Sequence, residues 1–184
     1  MAQCKIYLFT YKRNHLLPRA IKSLLDQTCT DWVCELHNDC PEDLFPGKYL
    51  ASLNDTRFTL RQHDTNLGAV RSFNLAFEGC AEQYASILED DNWWEPQFLA
   101  EMISLMNRSP EVSIAWSNMY LWKEKANNEW ENTGRTIWPE KDDVIILAGP
   151  SLNQPWAPCT QMGQWYTGGS LQINTRYPAI AILG

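Results

Sequence analysis

Apolar and polar positions follow two alternating periods over the first 107 residues, and the switches between them predict the elements. Residues 5–10 (KIYLFT) are a short β-rich run and predict a buried strand. Leu17, Ala20, Ile21, Leu24 and Leu25 recur at i, i+3, i+4, i+7 and i+8, the stripe of an amphipathic helix ending near Gln27. Residues 32–36 (WVCEL) predict a second strand that runs into the turn-rich His37-Asn38-Asp39-Cys40-Pro41. A short helix is expected over 43–53, although Pro46 and Gly47 interrupt its pattern. Residues 57–61 (RFTLR) predict a third strand. After the turn Asn66-Leu67-Gly68, a second helical stripe runs through Ala69, Phe73, Ala76, Phe77 and Cys80. Residues 85–88 predict a fourth buried strand. Pro96 suits the first turn of a third amphipathic helix, with Phe98, Met102, Leu105 and Met106 on one face.

Further on, 112–122 reads as one long alternating strand, Asn127-Asn128 as a hairpin tip and 130–137 as the return. Residues 144–147 are a short apolar run, and 169–174 predict another strand. Four strand–helix alternations imply right-handed crossovers and an α/β fold with a mainly parallel sheet covered on both faces. Ligands of such sheets sit beyond the carboxyl ends of the strands. Asp39 and the pair Asp90-Asp91, each directly after a strand, are therefore expected in one crevice. A GxGxxG loop after the first strand is absent, as is any GxxxxGK[ST] sequence, which removes two common phosphate-binding readings.

Composition narrows the function classes. The 184 residues suffice for one domain with a real core. Fifteen basic against 22 acidic residues give a net charge of −7, which argues against a nucleic-acid partner. No apolar run approaches the ~20 residues of a transmembrane segment. The amino terminus has no signal-peptide pattern, and the six cysteines have no metal-like spacing, so they read as reduced thiols. The expected location is cytoplasmic, with peripheral membrane association as the variant. Nine tryptophans are a surplus that fits a flat or sugar-like ligand. From Val144 onward Arg176 is the sole charged side chain, and the chain closes on the apolar stretch 179–184. Such an end reads as a sequence cut short, with residues 180–183 partly exposed or disordered.

The chemistry concentrates in Ser86-Ile87-Leu88-Glu89-Asp90-Asp91-Asn92, where a buried strand climbs into three consecutive carboxylates. Adjacent anions repel, and a hard divalent cation bound through one or two carboxylates and phosphate oxygens would relieve them. A solvated acidic turn, with Asp91 or Asn92 capping the next helix, is the plainer alternative.

Several motifs fall in order: Phe9-Thr10-Tyr11-Lys12-Arg13; Ser23-Leu24-Leu25-Asp26-Gln27-Thr28; Asn38-Asp39; Asn66-Leu67-Gly68 through Asn74; and Leu88-Glu89-Asp90-Asp91-Asn92-Trp93-Trp94-Glu95-Pro96. Over roughly residues 5–122 the chain resembles the family 2 glycosyltransferases, which have the GT-A fold and use nucleotide-diphosphate sugars. The resemblance implies one GT-A domain over 1–184, with a donor-binding half at 1–107 and an incomplete acceptor-side half at 108–184. It implies that Thr10, Tyr11 and Arg13 form the loop against the nucleotide, that Asp39 accepts the uracil N3–H, and that Arg71 reaches base or diphosphate. Asp90 would bind the ribose, and Asp91 would bind Mg²⁺ or Mn²⁺. Lys12 stands where the family usually has Asn, Asn38 replaces the first of two common acids, and Glu89 replaces the first Asp of the acidic motif.

The implied activity is metal-dependent, inverting transfer of a sugar from a UDP-sugar donor to the hydroxyl of a saccharide or other acceptor. The general base of the family follows a strand resembling Gly168-Gly169-Ser170-Leu171, and no acid follows Asp143, so no base is assigned. A non-catalytic sugar-nucleotide binding module, or a catalytically incomplete fragment, is the alternative. A nucleotidyltransferase would need a glycine-rich loop after the first strand, and residues 10–13 contain no glycine. Trp93 and Trp94 could stack on sugar rings, although at least one of them is expected to pack beneath the acidic loop. Trp156, Cys159 and Trp165 are expected near the acceptor. His15, His37 and His63 lack spacing for a metal or a triad, and nothing marks Cys40 as activated.

Overall fold

The computed structural model describes residues 2–110, 114–115, 118–126, 129–137, 171–175 and 181–182. At the centre is β1 (Cys4–Thr10), which pairs in parallel with β2 (Trp32–Asn38) on one edge and β4 (Tyr84–Glu89) on the other. β3 (Phe58–Gln62) extends the parallel set beside β2. The registers Thr10↔Asn38, Asn38↔Gln62 and Phe9↔Glu89 bring the four carboxyl ends to one level.

Side chains of β1 alternate across the sheet, as strand geometry requires. Ile6 and Leu8 enter a core with α1 (Leu17–Leu25), α2 (Phe45–Leu53) and α4 (Phe98–Arg108), built on Leu17, Ile21, Leu24, Leu99 and Met102. Tyr7 and Phe9 enter a smaller cluster on the other face, against Ala76, Ile87 and the partly buried Phe73. Here α3 (Ala69–Asn74) runs into a 3₁₀ turn, Leu75–Phe77, so the helical stripe expected through Cys80 tightens after Asn74. In α2, Pro46 lies in the first turn, where its missing N–H costs nothing, and Asn54 caps the other end in the left-handed conformation.

α1 and α4 are joined by the buried side chain of Gln27. Its amide donates to the carbonyls of Ser23 (3.0 Å) and Glu95 (2.8 Å) and accepts the N–H of Leu99 (2.9 Å). The last bond satisfies an N–H in the first turn of α4, which has no intrahelical partner.

The expected long strand over 112–122 is two strands in two sheets. β6 (Ile114–Ala115) joins the main sheet and β7 (Tyr120–Glu124) a second, smaller one. Asn118 Oδ1 accepts the N–H of Met119 (3.0 Å) at the crossing, a local bond that competes with a continuous ladder. Within the stretch 180–183, expected to be partly exposed or disordered, the described residues are 181–182. Ala181–Ile182 form β10, antiparallel between β4 and β6, which gives the main sheet the order β3-β2-β1-β4-β10-β6. Two apolar residues inserted there cover what would otherwise be the open edge of β4.

The second sheet has the order β5-β9-β7-β8, with β5 at Trp93–Trp94, β8 at Trp130–Thr136 and β9 at Leu171–Thr175. The sequence pattern does not announce β5, because its partner β9 lies far along the chain. Asn127-Asn128, 144–147, Trp156, Cys159 and Trp165 lie outside the described residues.

Candidate functional site

The strand ends set the site. Thr10 O accepts the N–H of Asp39 (3.0 Å), and Phe9 O accepts the N–H of Asp90 (3.1 Å). The end of β1 thereby fixes the loops on either side, and Asp39 and Asp90-Asp91 flank residues 10–13 as the topology predicts.

Asp90 is fully buried. Its Oδ2 accepts the hydroxyl of Thr10 (2.7 Å) and the N–H of Tyr11 (3.3 Å). Arg13 Nε lies 3.0 Å from Asp90 Oδ1, and Arg13 Nη1 bonds Asp91 Oδ2. Burial pushes the Asp90 carboxyl up to about 6, against the pull of Arg13 and Thr10. Burial opposes the charge on Arg13 too, but Asp90 and Asp91 outweigh it and hold the guanidinium above its ordinary value. Tyr11 is 43% exposed beside this cluster, with the Lys12 ammonium 5.2 Å from the centre of its ring.

Asp39 is a buried clasp. Oδ1 accepts the N–H of Leu67 (2.7 Å) and lies 2.9 Å from His63 Nδ1, while Oδ2 accepts the N–H of Gly68 (2.9 Å). Gly68 has φ +77°, a conformation in which any side chain is strained. The carboxylate thus shapes the 66–68 turn and the start of α3. One acceptor position on Oδ2 remains after these bonds.

His37 and His63, to which the sequence assigns nothing, extend the clasp inward. His63 Nε2 is 3.2 Å from His37 Nδ1, and His37 Nε2 is 2.7 Å from Glu35 Oε1. His37 Nε2 and Glu35 Oε1 are the pair left without a hydrogen bond. Only the pairing of β2 with β3 brings these residues together, so no spacing in the sequence reveals them.

Asn38, where the family resemblance leads one to expect an acid, donates its amide to Asp43 O (2.7 Å) and Gln62 Oε1 (3.0 Å), and accepts the N–H of Cys40 (3.1 Å). An ionised carboxylate has no hydrogen to donate to either acceptor. Cys40 is buried, and burial, with Glu42 beside it, raises its thiol above the ordinary value. Arg71 is exposed on α3 and makes no hydrogen bond or ion pair among the described residues.

Arg19 is a second basic residue that sequence reasoning passed over. Its guanidinium donates to the carbonyl of Asp91 (3.0 Å) and lies between the indoles of Trp93 (4.1 Å) and Trp130 (4.3 Å). It therefore ties the acidic loop to the small sheet. Trp94 is buried against Phe98, as expected of one member of the pair, and Trp93 belongs to this half-buried sandwich.

A divalent cation fits the donor set. Asp90 Oδ1 and Asp91 Oδ1 are buried and accept no hydrogen bond. Hard oxygen ligands of this kind, few in number, suit Mg²⁺ or Mn²⁺ shared with a diphosphate. Among the described residues no three His, Cys, Asp or Glu side chains gather into an all-protein metal cage.

An α/β sheet that gathers Thr10, Arg13, Asp39, Asp90 and Asp91 at the carboxyl ends of its parallel strands defines the class, and comparison with known proteins gives the family. The profile of glycosyl transferase family 2 matches residues 6–155. The chain belongs to that family. It is 31% identical over 119 residues to WcaA of Escherichia coli K12, named as a colanic acid biosynthesis glycosyl transferase, covering 63% of this chain and 42% of that protein. It is 26% identical over 136 residues to the E. coli UDP-Glc:alpha-D-GlcNAc-diphosphoundecaprenol beta-1,3-glucosyltransferase WfgD, covering 74% and 51%. The chain thus spans about half the length of these relatives or less.

Two solved structures share the fold. Staphylococcus aureus TarS 1–349 in complex with UDP-GlcNAc superimposes with a TM-score of 0.54 at 16% identity, over 61% of this chain and 33% of that one. The mannosyltransferase PcManGT of Pyrobaculum calidifontis, in complex with GDP-Man and Mn²⁺, gives 0.54 at 17%, over 61% and 34%. No helix among the described residues is long and apolar enough to cross a membrane.

Proposed function

We propose that this protein is a glycosyltransferase that takes a UDP-sugar donor and passes the sugar, with inversion, to the hydroxyl of a saccharide or other acceptor. One observation carries the reading: Thr10, Tyr11, Arg13, Asp39, Asp90 and Asp91 meet at the carboxyl ends of β1, β2 and β4, joined by hydrogen bonds and ion pairs. Tyr11 stacks on the base, and the remaining acceptor position of Asp39 takes the uracil N3–H. Asp90 takes the ribose. Arg71, exposed one turn past Gly68, meets base or diphosphate. Residues 1–107 are the donor half and 108–184 the acceptor side. The names of WfgD and of the TarS complex, which carry UDP-linked sugars, support the choice of donor.

Asp91, with Asp90 beside it, would hold Mg²⁺ or Mn²⁺. When bound, such an ion neutralises charge on the departing diphosphate. The chain's own residues do the rest of the donor chemistry. Burial of Asp90 and the clasp at Asp39 fix the two loops before the donor arrives, so little reorganisation is left for the reaction itself. Calorimetry with UDP and Mn²⁺ tests this reading. UDP should bind with a dependence on Mn²⁺ that Asp91→Ala abolishes, and CDP should bind at least tenfold more weakly. Equal binding of UDP and CDP, or metal-independent binding, would overturn it. Release of free sugar from UDP-glucose or UDP-GlcNAc separates an enzyme from a binding module.

A further inference from the structure

The cation-binding corner of the site already contains a cation. Arg13 reaches both carboxylates that would hold the metal, with Nε 3.0 Å from Asp90 Oδ1 and Nη1 bonded to Asp91 Oδ2. Among the described ion pairs no other basic side chain contacts either of these carboxylates; Arg19 donates to the backbone carbonyl of Asp91 and feels the Asp91 charge from there. The side chain of Asp90 is 0% exposed and that of Asp91 16%, so their charges need a counter-ion at close quarters. Arg13 itself is 41% exposed, with room on its outer side. Its backbone is held, because its carbonyl accepts the N–H groups of Leu16 (2.9 Å) and Leu17 (3.2 Å). Any movement is therefore confined to the side chain.

We infer that Arg13 is a built-in counter-cation that competes with the divalent ion for Asp90 and Asp91, and that the donor diphosphate releases the carboxylates by drawing the guanidinium to itself. This rests on the donor site proposed above. A guanidinium fork fits phosphate oxygens as well as it fits carboxylates, so it has somewhere to go once the diphosphate is present. Before that, a divalent ion approaching Asp91 must either displace the fork or sit beside a like charge. Metal and nucleotide consequently bind cooperatively, and the ion alone binds weakly. Arg13 acts here as a positioning residue.

The test is a titration of the whole chain with Mn²⁺, followed by the loss of the free-ion paramagnetic resonance signal, with and without UDP. The unaltered chain should bind Mn²⁺ at least tenfold more tightly with UDP than without. Arg13→Gln should tighten Mn²⁺ binding in the absence of UDP by about tenfold and shrink the gain that UDP brings. Arg13→Lys keeps the charge near the buried acids and so protects the fold. Its single ammonium cannot span both carboxylates, so it should shift affinity in the same direction by less. Unchanged nucleotide-free affinity in both variants, with the UDP gain intact, would overturn the role of Arg13 and leave the donor site standing. An unaltered chain that binds no Mn²⁺ even with UDP would overturn the metal reading and this inference together.

Discussion

Asp39 Oδ2 accepts the backbone N–H of Gly68 at 2.9 Å, and through that bond the loop after β2 holds the entry to α3. Asp39 therefore has a structural duty beside its proposed contact with the base. Asp39→Ala leaves the N–H groups of Leu67 and Gly68 without their charged acceptor, and a hydrogen bond to a charged group contributes about 1.5–3 kcal/mol. Urea denaturation should show a loss of about that size, and calorimetry at least a tenfold weaker UDP complex. Asp39→Asn keeps the volume but turns an NH₂ toward one of the donors, so it too should lose stability. Unchanged urea midpoints for both variants would contradict the clasp.

Gln27→Leu matches the size of the side chain and removes all three of its hydrogen bonds. Leu99 N–H and the carbonyl of Ser23 would then lose this partner in the interior, and the carbonyl of Glu95 would keep only the N–H of Phe98. A buried polar group left unmade costs about 1–3 kcal/mol, and the loss here should fall in the upper part of that range. Because Glu95 follows the acidic loop closely, Mn²⁺-dependent UDP binding should weaken as well. The denaturant midpoint and the UDP affinity together check both outcomes.

Lys12 has φ +56°, a left-handed backbone that Lys adopts at a steric cost and Asn tolerates. This is the physical reason an Asn suits the position, and Lys12→Asn should raise Tm by about 2 °C. A fall in Tm on scanning calorimetry would mean that the contacts of Lys12 with Glu42 and Tyr11 matter more than its backbone.

His37 is wholly buried, and burial pushes it down to about 4 from its ordinary 6.5, although Glu35 pulls the other way. The native protein then binds fewer protons at this site than the unfolded chain between pH 6.5 and 4. The stability that the neutral ring provides is complete above pH 6.5 and is lost as pH falls toward 4. The shift corresponds to a loss on the order of 3 kcal/mol across the window. His37→Asn keeps a polar group near Nδ1 for His63 and should flatten this part of the profile. A rise in stability on acidification would show Glu35 to be dominant and the pair to hold an imidazolium.

The parallel sheet and its crevice are legible in the sequence because each strand is a short apolar run closed by turn residues, and topology sends all four ends the same way. The acidic loop is legible because three adjacent anions are chemically conspicuous. What stays hidden depends on partners brought together only by folding. Arg13 and Asp91 are separated by 78 residues, and His63 finds Asp39 across 24. Trp93 reads as a ligand platform until Arg19 is seen against its face. Gln27 belongs to a recognisable motif, yet its buried bonds to the start of α4 have no periodic signature.

The central place of β1 has a consequence for how the chain is made. Its two neighbours arrive at very different times during synthesis: Cys4 pairs with Trp32 on one side and with Tyr84 on the other. For the interval in between, β1 carries an open edge on an apolar strand, the kind of surface that recruits other nascent chains. The same interval keeps Thr10, Tyr11 and Arg13 without their carboxylates. A growing chain therefore presents its most aggregation-prone edge before it presents any donor site, and the closure that buries the edge is the one that completes the site.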